Sequence, residues 1–208
     1  MIAAGPGRIV LASSVAVYGA WPDNRLPLDE DDEARPNREC PYAEHKLEAE
    51  RQCAAAAATT SLRICAVLGP HADPLVKKAS AGLRHVVPAA RGRRQALQFL
   101  HEDDAALALL AAVKRAGVSG VYNVAPSDWL DEDGVAAIGG GRVAHLPFPL
   151  LVRGSEVARR LRLMDMGADR AVLLNGPLAV DPAAAGRDLA WRARRTSAEV
   201  LGEFLAGV

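Results

Sequence analysis

The run Tyr42-Ala43-Glu44-His45-Lys46 places a phenol and an ammonium one helical turn apart. Both side chains then project from one face of any helix that begins there. A free phenol ionises at about pH 10 and is a poor base at neutrality. A fixed positive charge beside such a group favours the phenolate and suits it to general acid–base work. The competing reading of the same spacing is an exposed helix face with no chemical task.

Upstream, Ser13-Ser14-Val15-Ala16-Val17-Tyr18-Gly19 follows the short apolar run Ile9-Val10-Leu11. Such a run, bounded by Gly7 and the two serines, reads as a buried parallel strand. Its carboxyl end is where open α/β sheets hold their ligands. Ser14 alone reads as a turn serine; with Tyr42 and Lys46 it becomes the third member of a candidate set.

Other reactive side chains are set aside. The histidines His45, His71, His85, His101 and His145 show no H-x-x-x-H spacing and no cysteine at ligand spacing, so no metal is expected. His101 reads as a packing and hydrogen-bonding residue, and Asp103 or Asp104 as the cap of the helix that follows. Arg91, Arg93 and Arg94 suit a phosphate or carboxylate, against a solvated hairpin before the strand at Ala96. Cys53 and Cys65 read as buried thiols with no activating base. Trp129 and Trp191 are expected to pack a small lobe.

These residues need a frame. Tyr42 to about Thr60 is rich in Ala, Glu, Lys, Leu and Arg with no Gly or Pro, which predicts a helix. Before it, Trp21 to Pro41 reads as a long surface loop whose acidic run, Asp29 to Glu33, is solvated. Ser61 to Leu68 reads as a strand. A second cycle has a strand at Ala96 to Leu100, a helix to about Ala116 and a strand at Val121 to Val124. Further on come a helix near Leu130 to Ile138, a turn at Gly139 to Gly141, a strand at Arg142 to Leu146 and a helical stretch from Leu150 to Leu163. Two late helices are expected, near Pro182 to Leu189 and Ser197 to Leu205. The alternation predicts an α/β fold with a parallel sheet and flanking helices, followed by a small C-terminal lobe. Residues 1–125 form the first part; 126–208 form the mostly helical lobe, interleaved with it.

Composition narrows the classes. The 208 residues carry 25 basic and 25 acidic side chains, so no nucleic-acid partner is expected. The longest apolar run, Ala105 to Val113, is too short to cross a bilayer, and Ser13-Ser14 interrupt the faint signal-like stretch from Arg8 to Val17. Three cysteines without a C-x-x-C pair fit reduced thiols and a cytoplasmic location.

The chain resembles the extended short-chain dehydrogenase/reductases, the NAD-dependent epimerase/dehydratase group. The resemblance rests on S-S-x-x-V-Y-G at Ser13 to Gly19, P-Y-x-x-x-K at Pro41 to Lys46, and Leu62-Arg63 through Leu68-Gly69-Pro70. It continues in Leu100-His101-Glu102-Asp103-Asp104, Val121-Tyr122-Asn123-Val124 and Leu189-Ala190-Trp191-Arg192. It implies that Ser14 holds a substrate oxygen, that Tyr42 is the acid/base, and that Lys46 binds the nicotinamide ribose and favours the Tyr42 phenolate. It also implies a partial Rossmann-like parallel sheet with flanking helices plus a small C-terminal substrate-binding lobe, NAD or NADP as cofactor, and a hydroxyl- or carbonyl-bearing small molecule as substrate, in an epimerase- or reductase-like oxidoreductase.

Departures from the family pattern shape the rest. Val15-Ala16 stands where the family's dehydratases carry an acidic pair, so dehydration is not expected. Ala66 stands where sugar-nucleotide enzymes carry Asn, so a nucleotide sugar is not expected either. The Gly-rich strand-to-helix turn that receives the pyrophosphate is not found; Gly5-Pro6-Gly7 lacks its third glycine. The expectation is a truncated form whose first strand offers an open edge, met by a homo-oligomer or by another chain. Two readings stay open: an NAD(P)-dependent catalyst, and a non-catalytic remnant or binding subunit without its own dinucleotide site.

Overall fold

The computed structural model describes residues 7–72, 74–161 and 171–207. Three parallel strands form the central sheet in the order β1-β2-β6: β1 (Ile9–Ser14), β2 (Thr59–Ile64) and β6 (Gly120–Val124). Helix α1 (Pro41–Ala56) connects β1 to β2. Helix α3 (Glu102–Lys114) precedes β6, burying Ala105, Ala108 and Ala112. Leu62 of β2, Val124 of β6 and Leu100 are fully buried, each worth about 1.5–3 kcal/mol relative to exposure.

Two smaller parallel pairs complete the architecture. β3 (Ala66–Leu68) pairs with β5 (Phe99–His101), and β4 (Val86–Ala90) pairs with β7 (Arg142–Leu146). They enclose a second core in which Leu68 and Val87 meet Val135 of α4 (Glu132–Gly139) and Val200, Leu201 and Phe204 of α7 (Ser197–Ala206). Helix α2 (Pro74–Ala81) precedes β4, α5 (Phe148–Arg160) follows β7, and α6 (Ala183–Asp188) packs near β6. No described helix is long and apolar enough to cross a membrane.

Several expectations need correction. The helix from Tyr42 ends at Ala56, and Thr59 and Thr60 belong to β2, where their branched side chains fit the pleat better. The single strand expected over Ser61 to Leu68 is divided at Cys65, where the chain leaves one sheet and joins another. Of Ala96 to Leu100, only Phe99 and Leu100 enter β5; Gln98 instead bonds the backbone of Pro126 and Val180 through its side chain. His101, not Asp103 or Asp104, caps α3: its Nδ1 accepts from Asp103 N at 3.1 Å.

Arg91 to Arg94 form no hairpin, because the strands on either side belong to different parallel pairs. β4 went unseen because Pro88 interrupts its pattern; a strand paired on one side tolerates the missing N–H. Trp191 packs in the main core rather than a small lobe, and Trp129 is 41% exposed. Cys53 is half-buried, and buried Cys65 lies between β2 and β3, where burial raises its thiol pKa above the ordinary value. Gly5-Pro6 and the end of the helical stretch expected to Leu163 lie outside the described residues.

Candidate active site

β1 ends in Ser13 and Ser14, and the chain then tightens into a single 3-10 turn, Val15–Tyr18, buried throughout. Ser14 caps this turn: its Oγ accepts from Ala16 N at 3.2 Å. That bond uses a lone pair and leaves the hydroxyl proton to be donated. Gly19 closes the turn at φ 71°, and a Cβ there would sit 2.5 Å from Arg35 O, so neither the backbone nor the space admits a side chain.

Pro41 opens α1 at its first position, where a missing N–H costs no hydrogen bond. Tyr42 follows and is 41% exposed. Its neighbour Ala43 is fully buried in a small apolar cluster with Ala16, Cys40 and Val172, against Phe148 and Val152 of α5. Tyr42 therefore stands beside the seam where the first turn of α1 and the 3-10 turn at Ala16 meet α5. Lys46 reaches back from α1 to β1, its Nζ donating to the Ala12 carbonyl at 2.7 Å and lying 5.8 Å from the centroid of the Tyr42 ring. The expected helical pair thus forms and is tied to β1, two residues before Ser14.

Beneath this surface runs a buried polar chain not anticipated from the sequence. Glu50, one turn beyond Lys46, accepts from Arg63 Nε at 3.2 Å and from Arg63 Nη2 at 2.8 Å, and also from the Ser13 hydroxyl. Both charged side chains are 7% exposed. Burial works against the Arg63 charge, but hydrogen bonds and charge from Glu50, with help from Tyr18, leave its pKa above the ordinary value. The Arg63 guanidinium lies 4.6 Å over the Tyr18 ring. The single Tyr18 hydroxyl proton is shared between two acceptors, Asn123 Oδ1 at 2.9 Å and the Asp29 carbonyl at 3.0 Å. Burial raises the Tyr18 pKa, outweighing Arg63 and Asn123, so this phenol stays neutral.

The acidic run is not simply solvated. Glu30 accepts from Asn123 N at 2.7 Å, and burial raises its carboxyl pKa. Leu28 bonds Ala179 and Asp181 through its backbone, so the long loop is strapped across β6. One sequence signal could have exposed this network: an arginine in the middle of a buried strand needs a buried carboxylate.

The site suits a nicotinamide cofactor at one end. Lys46 spends one of three N–H donors on Ala12 and keeps two, and Tyr42 is exposed beside it. Among the described residues no G-x-x-G-x-x-G run joins a strand to a helix: of the positive-φ glycines, Gly19, Gly92, Gly117 and Gly140 lie in turns and Gly120 opens β6, and the turn from β3 to α2 holds the single Gly69.

Comparison with known proteins follows this geometry. The model of the NAD dependent epimerase/dehydratase family matches residues 1–125. An uncharacterized protein of Mycobacterium tuberculosis (Rv0501) is 25% identical over 212 residues, covering 96% of this chain and 54% of the relative. The chain spans about half the length of the curated relatives it matches. Among solved structures, MoeE5 in complex with UDP-glucuronic acid and NAD superimposes with a TM-score of 0.69 at 22% identity, covering 98% of this chain and 65% of that one. A UDP-glucose 4-epimerase from Thermotoga maritima with UDP-glucose gives 0.69 at 18% identity, covering 98% and 63%. A dTDP-glucose 4,6-dehydratase from Bacillus anthracis with NAD gives 0.66 at 17%, covering 96% and 61%. At these identities the structural likenesses speak to the fold.

Proposed function

The chain belongs to the NAD dependent epimerase/dehydratase family, and from that premise we propose that it serves an NAD(P)-dependent epimerase- or reductase-like oxidoreductase acting at a hydroxyl or carbonyl group of a small molecule. The observation that carries this reading is the Lys46 bridge to Ala12 with the Tyr42 ring exposed beside it. NAD or NADP, when bound, accepts or returns a hydride at the nicotinamide ring. Lys46 holds the nicotinamide ribose through its two remaining donors. Tyr42 Oη takes the proton of the substrate hydroxyl or returns it to the carbonyl oxygen, with the Lys46 charge nearby. Ser14 donates its free hydroxyl proton to the same substrate oxygen and fixes its position.

Val15 and Ala16 are buried and apolar, so no carboxylate follows Ser14 to assist loss of water. Redox chemistry at one carbon is favoured over dehydration. UDP-sugars, named with the solved neighbours, are substrates to screen beside simpler hydroxy compounds.

A second reading keeps the same site without independent catalysis. Among the described residues β1 pairs only with β2, Ala12 is exposed, and no phosphate-binding turn is present. A neighbouring segment, a second copy or another chain would then complete the sheet and supply the phosphate site. Fluorescence titration with NADH and NADPH tests the first reading. Saturable binding weakened about ten- to hundredfold in Lys46→Ala, the scale of one charge-assisted hydrogen bond, supports it. Identical titration of a folded Lys46→Ala protein contradicts it.

A further inference from the structure

At the other edge of the central sheet, the chain leaves β6 through Ala125-Pro126-Ser127-Asp128. This loop, the start of α6 and the connection from α6 to α7 enclose a cleft of about 430 Å³, within the size range of small-molecule sites. It shares no lining residue with the Ser14, Tyr42 and Lys46 site. Its walls carry Arg187, Arg192, Arg194 and Arg195 against two carboxylates, Asp128 and Asp181. In a chain whose formal charge is zero, guanidinium groups outnumber carboxylates in this lining.

The carboxylates are already engaged. Asp128 accepts from Ser197 N at 3.1 and 3.0 Å, capping α7, and Asp181 accepts from Ala183 N at 2.9 Å. Two of the arginines are engaged as well: Arg195 Nε lies 3.2 Å from Glu203 and Arg194 Nε 3.8 Å from the buried Asp104. Arg187 and Arg192 have no hydrogen-bond or ion-pair partner among the described residues.

The wall that presents Arg192 is firmly held. Trp191 is buried and donates its Nε1–H to the Asp104 carbonyl at 3.1 Å. Arg194 N donates to Asp104 Oδ2 at 3.0 Å. Ala190 adopts φ 52°, a left-handed conformation that non-glycine residues rarely take. The backbone turns there so that Trp191 enters the core while its neighbour Arg192 stays exposed on the cleft.

We propose that this cleft binds the phosphate or diphosphate group of a small molecule, with Arg187 and Arg192 as its principal partners and the Ser127 hydroxyl as a neutral donor. Guanidinium groups present planar paired donors that match phosphate oxygens, and a cleft of this size suits a small ligand better than a nucleic-acid backbone. The assignment does not depend on the Tyr42 chemistry.

The test uses the full chain, inorganic pyrophosphate as probe and citrate as the carboxylate comparison, at matched ionic strength, followed by amide chemical shifts and calorimetry. The expected result is saturable pyrophosphate binding, with shifts concentrated at Ser127 and from Arg187 to Thr196. Affinity should fall at least tenfold in Arg187→Ala and Arg192→Ala and stay unchanged in Arg94→Ala. Arg187 and Arg192 are exposed, so unchanged thermal midpoints should accompany the loss. Absence of saturation, shifts elsewhere, or equal affinity in the Arg187→Ala/Arg192→Ala double variant would overturn the site. Citrate binding as tightly as pyrophosphate would overturn the phosphate assignment.

Discussion

The two halves of α1 lie against the same sheet in opposite surroundings. At its start, Tyr42 is 41% exposed and Lys46 half-buried, each with hydrogen-bonding capacity to spare. One turn past Lys46, Glu50 is 6% exposed and saturated by Arg63 and Ser13. The groups able to do chemistry are left open, and the groups that hold the helix are closed off. Ala43 helps to place the open end, because its small buried side chain lets the first turn pack against Ala16 in the 3-10 turn that follows Ser14. A buried ion pair adds little net stability over an apolar pair, but breaking it is costly. It therefore suits fixing one placement of α1, and with it the spacing from Lys46 to Ala12.

That contrast can be broken from either end. The largest expected effect is on turnover: Tyr42→Phe should lower it by about two to four orders of magnitude, the scale of a lost acid/base group. Its urea midpoint should match that of the parent protein. Unaltered turnover on an identified substrate would remove Tyr42 from the chemistry. Glu50→Ala should act the other way, lowering stability by about 3–5 kcal/mol in urea denaturation by stranding the Arg63 charge. Replacing both partners, Glu50→Leu with Arg63→Met, should recover most of that loss. If the double variant is as unstable as the single one, the pair does more than neutralise itself.

Tyr18→Phe is expected to cost about 1–3 kcal/mol, because it leaves the buried Asn123 Oδ1 without its donor. A change within experimental error would place the phenol outside the network. The smallest effect concerns pH. Burial raises the Glu30 pKa in the folded state, so the fold binds this proton more tightly than the unfolded chain does. Its contribution is fully present below the ordinary carboxylate pKa and is lost as pH rises through the raised folded value. Glu30→Gln keeps an acceptor for Asn123 N and does not titrate. The parent protein should therefore gain on the variant as pH falls through this window, and chemical denaturation across pH reads the difference. A gain in the opposite direction would mean that Glu30 is stabilised as the anion.

Much of this was legible in the sequence where local chemistry decides the outcome. The strand at Arg142 to Leu146 has the expected bounds, and α1 begins at Pro41, one residue before the Tyr42 start that the helix-forming composition implies. What escaped depends on partners distant in the chain. Arg63 and Glu50 meet across a helix and a strand. Glu30 reaches Asn123 from a loop that looks merely solvated. The strand holding Pro88 is visible only once β7 lies beside it. The arginine cleft likewise needs the loop at Ser127 and the connection at Arg192 to converge, which no local spacing announces.

The most direct test of the central claim is saturation-transfer NMR of NADH with the intact chain and with Lys46→Ala. The account predicts strongest transfer to the nicotinamide ring and its ribose, weaker transfer to the adenine, and loss of the nicotinamide signals in the variant. Transfer dominated by adenine, or nicotinamide signals unchanged by removing Lys46, would contradict the assignment of this helix face to the cofactor.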